Sequence, residues 1–156
     1  MRQQAEQLAD PRLTALARLC SGQAAGFLGR CEEAVAELTR ALEELRATGT
    51  LLDVALATLR LGMGQALGGR PETGIAVLRD VPRLAGEDSD ESYVQGCAYG
   101  YMAAAHLAAG DLDAAERTGR RAVELHDLRD GVLGLGITLD VVAWTAVAQG
   151  VTTAPP

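Results

Sequence analysis

Two histidines and three cysteines are the side chains of this 156-residue chain best suited to metal, nucleophilic or redox chemistry. Their spacing does not assemble a site. His106 and His126 each lack a second ligand at helical spacing, and Cys20, Cys31 and Cys97 form no metal-binding pattern. An odd number of scattered cysteines points to reduced thiols in a cytoplasmic compartment. Ser21 and Ser92 have no histidine nearby in sequence and no nucleophile elbow around them. The glycines of Leu61-Gly62-Met63-Gly64-Gln65-Ala66-Leu67-Gly68-Gly69 follow no strand, so they do not read as a dinucleotide loop. Lysine and asparagine are absent, and all 14 basic residues are arginine. There is therefore no Schiff-base or Walker lysine and no asparagine for a peptide clamp. These residues predict a chain that is not an enzyme and carries no metal or cofactor. An enzyme would require His106 and Tyr99 to meet in an unsuspected cluster. Otherwise His106 reads as a partly buried structural histidine. His126 falls near a helix C-terminus, where a cation is welcome.

Charge narrows the partners. The net charge of −7 argues against nucleic acid and against an anionic membrane surface. No apolar run is long enough for a membrane span, and Met1–Glu6 is too polar for a secretion signal. The run Glu87-Asp88-Ser89-Asp90-Glu91 reads as a solvated loop. Apolar residues make up 48% of the chain and aromatics 3%, which predicts a sizeable aliphatic core.

The elements that must position these groups follow a period. Phe27-Leu28-Gly29-Arg30, Leu67-Gly68-Gly69-Arg70, Ala108-Ala109-Gly110-Asp111 and Ala148-Gln149-Gly150 share a final Gly. That Gly advances by 69 − 29 = 40, 110 − 69 = 41 and 150 − 110 = 40 residues. Apolar spacing predicts helices over 12–28, 31–47 and 51–68, another from Pro71 that Pro82 kinks or ends, and further helices over 92–109, from Asp111 as N-cap, and over 132–149. Residues 1–9 read as the tail of a helix, 86–92 as an acidic connector and 151–156 as a C-terminal tail. Arg40 and Glu44, four apart, form an expected surface pair. Residues 1–150 are expected to form one domain.

Aligned on the recurring Gly, the copies resemble tetratricopeptide repeats. Copy one matches through Gly22, Gly29, Ala34, Leu38, Ala41 and Leu42, and copy two through Leu61, Gly62, Gly69 and Leu78, with Gly74 where Ala is usual. Copy three matches through Tyr99, Ala103, Gly110, Ala115 and Ala122, and a half copy through Val142, Ala143 and Gly150. The standard unit is about 34 residues. The longer period resembles the repeats of large bacterial ATP-binding transcriptional regulators, as do Asp10-Pro11-Arg12-Leu13 and the stretch from Asp130 to Gly150. No ATP-binding loop or helix-turn-helix accompanies them.

The resemblance implies an all-α, right-handed α-solenoid of antiparallel helix pairs, with about 3.5 repeats and about seven helices. Its inner helices would line a largely apolar groove through Leu16, Leu19, Gln23 and Phe27, then Leu56, Leu59, Met63 and Leu67. Cys97, Gly100, Ala104 and Leu107 would follow, and then Ile137, Asp140, Trp144 and Val147. The mapped positions hold no Lys, Arg or Asn, so clamping of a peptide carboxylate is not expected. The partner-binding residues expected are Leu19, Gln23, Leu56, Leu59, Met63, Tyr101, Asp140 and Trp144. Two uses are open: docking of a protein partner's amphipathic helix, or an apolar effector near Met63, Tyr101 and Trp144. A third possibility is that these side chains are simply core. Apolar terminal helices suggest self-association, and the acidic rim (Glu32, Glu33, Glu87, Asp88, Asp90, Glu91) favours a basic partner.

Overall fold

The computed structural model describes residues 10–85, 89–127 and 132–150, and every regular element among them is helical. The helices are α1 (Pro11–Phe27), α2 (Cys31–Thr48), α3 (Leu51–Leu67), α4 (Pro71–Leu78), α5 (Val81–Ala85), α6 (Ser89–Ala108), α7 (Leu112–Asp127) and α8 (Val132–Ala148). Residues 1–9 and 151–156, read above as a helix tail and a C-terminal tail, lie outside the described residues. No helix among the described residues is long and apolar enough to cross a membrane.

Helix starts follow local chemistry. The Asp10 carboxylate accepts from the Arg12 and Leu13 amides, with Pro11 in the first turn where its missing N–H is harmless. Thr50 and Asp53 form a reciprocal capping box at α3. Asp111 caps α7 by accepting from the Ala114 amide at 3.0 Å. The outer helix that begins at Pro71 breaks at Arg79-Asp80 and resumes as α5. Pro82 has no N–H to give the Leu78 carbonyl, and its ring crowds that carbonyl, so the break falls just upstream of it. Helix α6 begins at Ser89, three residues before the expected start at 92. Ser89, Asp90 and Glu91 are thus helical, not loop, in a first turn where acidic residues are favoured.

The recurring Gly terminates helices. Gly29, Gly69, Gly110 and Gly150 have φ of 75°, 80°, 81° and 75°, and nothing lies within 4 Å of a β-carbon built on any of them. The left-handed backbone, not crowding, is what calls for Gly. At the first three, the Gly amide donates to the carbonyl three residues back and the following amide to the carbonyl five back. This is the Schellman closure.

Helix α1 packs on α2, α2 on α3 and α3 on α4, while α5 packs on α3 and α6, α6 on α7 and α7 on α8, and the alternate helices α1, α3, α6 and α8 also pack on one another in sequence. Close approach depends on small residues. A β-carbon at Gly22 would fall 2.9 Å from Leu38 Cγ, and one at Gly62 would fall 2.5 Å from Leu78 Cγ. Each pair joins a position seven before a recurring Gly to one nine after it. Leu38 and Leu78 are fully buried, each in one of two aliphatic clusters. The first holds Leu19, Leu42, Leu45 and Leu61, and the second Leu59, Val81, Val94 and Met102.

Ion pairs reinforce the first cluster. Arg12 Nε and Nη2 donate to Asp53 Oδ2 and Oδ1 at 2.7 and 3.1 Å, clamping the start of α1 to the start of α3. The Arg12 guanidinium, helped by the Thr50 amide and hydroxyl and opposed by burial, lowers Asp53 to about 2. Arg18 on α1 reaches Glu37 and Glu44 on α2. Glu44 is therefore engaged by Arg18, and Arg40 pairs instead with Glu37 at 3.5 Å.

Candidate functional site

Two surfaces gather side chains suited to binding. The first consists of side chains exposed on the alternate helices α1, α3, α6 and α8. Phe27 and Leu67 each stand two residues before a recurring Gly, at the C-terminal ends of α1 and α3, and are 73% and 69% exposed. Ala108 takes that position on α6 and is also exposed. On α8, Trp144 and Val147 are 67% and 62% exposed. Phe27 and Leu67 thus hold equivalent places, while Trp144 and Val147 lie six and three residues before Gly150.

The eight residues expected to bind a partner divide by depth. Leu19, Leu59 and Met63 are buried among their own helices. The small residues Gly22, Gly62 and Gly64 let neighbouring helices approach closely enough to cover that level of the stack. Gln23, Leu56 and Tyr101 are half-buried, Leu56 and Tyr101 against the second cluster. Burial pushes the Tyr101 phenol up, against the opposing charge of Arg60. Asp140 and Trp144 are exposed. The mapped positions Phe27, Leu67 and Val147, at or near the C-terminal ends of their helices, are exposed as well. The side chains of Ile137 and of the acidic residues 87–91 lie outside the described residues.

The second surface is a cleft of about 360 Å³ between the α4–α5 break, α6 and α7. Arg79 and Pro82 come from the break, Tyr99, Met102 and His106 from α6, and Asp111, Ala114, Arg117 and Thr118 from the start of α7. Tyr99 and His106 thus line one cleft. No serine or cysteine lines the cleft, and the Thr118 hydroxyl donates to the Ala114 carbonyl of its own helix. His106 Nδ1 stands 3.8 Å from Asp111 Oδ2, too far for the hydrogen bond that would fix a tautomer. Burial pushes His106 below 6.5, the Arg79 and Arg117 charges push the same way, and Asp111 opposes them. The imidazole is consequently neutral near pH 7. The partly buried histidine expected here is observed, together with an arginine on either side that sequence spacing did not bring together.

His126 differs from its expected role. It is buried edge-on against the Tyr93 ring at 5.8 Å, and a β-carbon at Gly96 would fall 2.7 Å from its Cε1. Burial lowers its pKa against the opposing Gly96 backbone, and neither ring nitrogen has a hydrogen-bond partner among the described residues. It is buried in packing, not exposed at the helix end. The free thiols Cys20, Cys31 and Cys97 lie on separate helices, α1, α2 and α6. Among the described residues, no group of three His, Cys, Asp or Glu side chains could hold a metal ion.

No protein-family model matches the chain, and no curated protein matches it.

Proposed function

We propose that the chain is a non-catalytic helical-repeat scaffold whose work is protein–protein interaction. In this reading its helices form a right-handed α-solenoid of antiparallel pairs, resembling tetratricopeptide repeats. The inner helices α1, α3, α6 and α8 and the outer helices α2, α4–α5 and α7 would then alternate. The contacts of α2 with α1 and α3, of α4–α5 with α3 and α6, and of α7 with α6 and α8 support this, as do the contacts of α1, α3, α6 and α8 with one another. The four left-handed glycines at intervals of 40, 41 and 40 support it from the sequence side.

One observation carries the binding role: Phe27, Leu67, Trp144 and Val147 stand exposed on the inner helices. An amphipathic helix laid along that face would cover them, and the net charge of −7 favours a partner with basic flanks. The resemblance to bacterial ATP-binding regulators makes a regulatory module in transcription or signalling the context of this proposal.

Site-specific photocrosslinking tests it. A photoreactive residue at Phe27 or Trp144 is expected to give a discrete protein adduct in cells, and one at Arg121 on α7 is not. Equal labelling at all three positions, or none at the groove, would overturn the reading. Light scattering across a concentration series identifies the case in which the partner is a second copy of the chain.

A further inference from the structure

We propose that the cleft between the α4–α5 break, α6 and α7 binds a small organic anion, gripped by Arg79 and Arg117. This goes beyond the scaffold role and uses a different surface.

Three observations converge. First, Arg79 and Arg117, both exposed, line one cleft from elements far apart in sequence, and neither guanidinium has an ion pair or hydrogen bond among the described residues. Their neighbours are otherwise engaged: Asp80 pairs with Arg83, and Glu116 pairs with Arg120 and accepts from Gln149. In a chain with net charge −7, two positive groups left facing one concavity are out of keeping with the composition. Second, the carboxylate inside the cleft is turned away from this role. Asp111 Oδ1 accepts from the Ala114 amide and Oδ2 faces His106, so it serves the helix start and the imidazole. Third, the wall is half apolar. Met102, Ala114, Pro82 and the Tyr99 ring give a carbon skeleton something to lie against, and the volume of about 360 Å³ is that of a small-molecule site.

The chemistry is oxyanion recognition. A guanidinium presents paired N–H donors that match the oxygens of a carboxylate or phosphate. Neutral His106 can add an N–H donor without a further charge to desolvate. Counted from the recurring Gly, the residues in the places of Arg79 and Arg117 one unit earlier are Thr39 and Ala76. The arginine pair is therefore particular to this junction and is not a requirement of the fold.

The test is a titration of the intact chain with phenyl phosphate, benzoate and inorganic phosphate, followed by amide and imidazole NMR shifts. Saturable shifts around Arg79, His106 and Arg117 are expected with at least one organic anion, with affinity near the millimolar range. Tighter phenyl phosphate marks a phosphorylated ligand and tighter benzoate a carboxylate. Either R79Q or R117Q is expected to weaken binding by about tenfold or more with the melting temperature unchanged. Arg46→Gln, at an exposed arginine elsewhere, should leave binding as it was. Absence of saturable shifts, equal binding by R79Q/R117Q, or inorganic phosphate binding as tightly as phenyl phosphate would overturn the proposal.

Discussion

Two junctions in this molecule are built on the same plan and finished differently. At the first, α3 packs on α2 and α4. At the second, α6 packs on α4, α5 and α7. Counted from the recurring Gly, Leu42, Thr58 and Leu61 at the first junction correspond to Pro82, Tyr99 and Met102 at the second. The three at the first are buried. At the second, Pro82 and Tyr99 are only half-buried and border the cleft. A second difference lies where α1 meets α3 and α3 meets α6. The clamp Arg12–Asp53 occupies the places that Leu52 and Val94 fill one unit later, and both of those belong to the second apolar cluster. The backbone plan thus depends on a few small and aliphatic positions. The remaining places are free to carry either charge pairs or an opening.

The largest effects should fall on what the junctions share. Leu38 and Leu78 hold equivalent, fully buried places opposite Gly22 and Gly62. Leu38→Ala and Leu78→Ala should each cost about 3 kcal/mol in urea unfolding, the usual size for a buried leucine that leaves a cavity. A markedly smaller loss for Leu78→Ala would mean that the opened junction can collapse around the missing side chain, and that the two are less alike than their geometry.

Next in size is the clamp that only the first junction has. Asp53→Asn should lower stability by removing a part-buried, charge-assisted pair whose arginine is partly exposed to solvent. The folded-state pKa of Asp53 is lowered from 3.8 to about 2, so its contribution is present above about pH 4 and is lost as pH falls toward 2. Asp53→Asn should therefore flatten the acid limb of the stability profile. The double change Arg12→Leu with Asp53→Val copies the second junction. It should recover the loss from the broken pair, because apolar replacements of an ion pair are commonly neutral or better, and remain about 1 kcal/mol below the parent for the Thr50–Asp53 capping box it also removes. Failure of that recovery would show that the clamp fixes the approach of α1 and α3 in a way Leu52 and Val94 do not.

How much of this was legible follows from where each signal lives. A helix that ends in left-handed backbone demands Gly, so Gly29, Gly69, Gly110 and Gly150 announced their turns in one dimension. Pro82 announced a break, although its steric effect acts on the preceding turn, at Arg79-Asp80. The start of α6 was missed because Ser89, Asp90 and Glu91 look like a solvated run and also suit a helix N-terminus. Leu19, Leu59 and Met63, expected to bind a partner, are buried, because whether they are covered depends on how closely neighbouring helices approach. Arg79 and Arg117 each read alone as a surface charge. Only the packing of α6 and α7 against the break brings them to His106.

Smaller again are the caps. Gly29→Ala and Gly69→Ala should each cost about 1 kcal/mol, the strain of a side chain in left-handed backbone, since nothing crowds either site. The two losses should add, because they sit at separate helix ends. Unequal losses would show one turn relaxing into another closure.

The smallest expected change in stability is the one that bears most on the cleft. Pro82→Leu places at the second junction the residue found at the first. It restores an N–H able to reach the Leu78 carbonyl and removes the ring that crowds it. The Arg79 amide already donates to Ile75, and the Leu84 amide to Asp80, so the turns on either side are in helical register and only the link is missing. Joining them should change global stability by less than about 1 kcal/mol, since a new helical bond offsets the lost rigidity of proline. It should raise hydrogen-exchange protection across residues 79–82 and carry Arg79 away from His106, so phenyl phosphate binding should disappear while the crosslink at Phe27 persists. If the variant gains protection yet binds as before, the arginines alone make the site and the break is incidental to it. If it gains no protection, the break is held by the packing of α5 on α3 and α6, and the proline only marks the place.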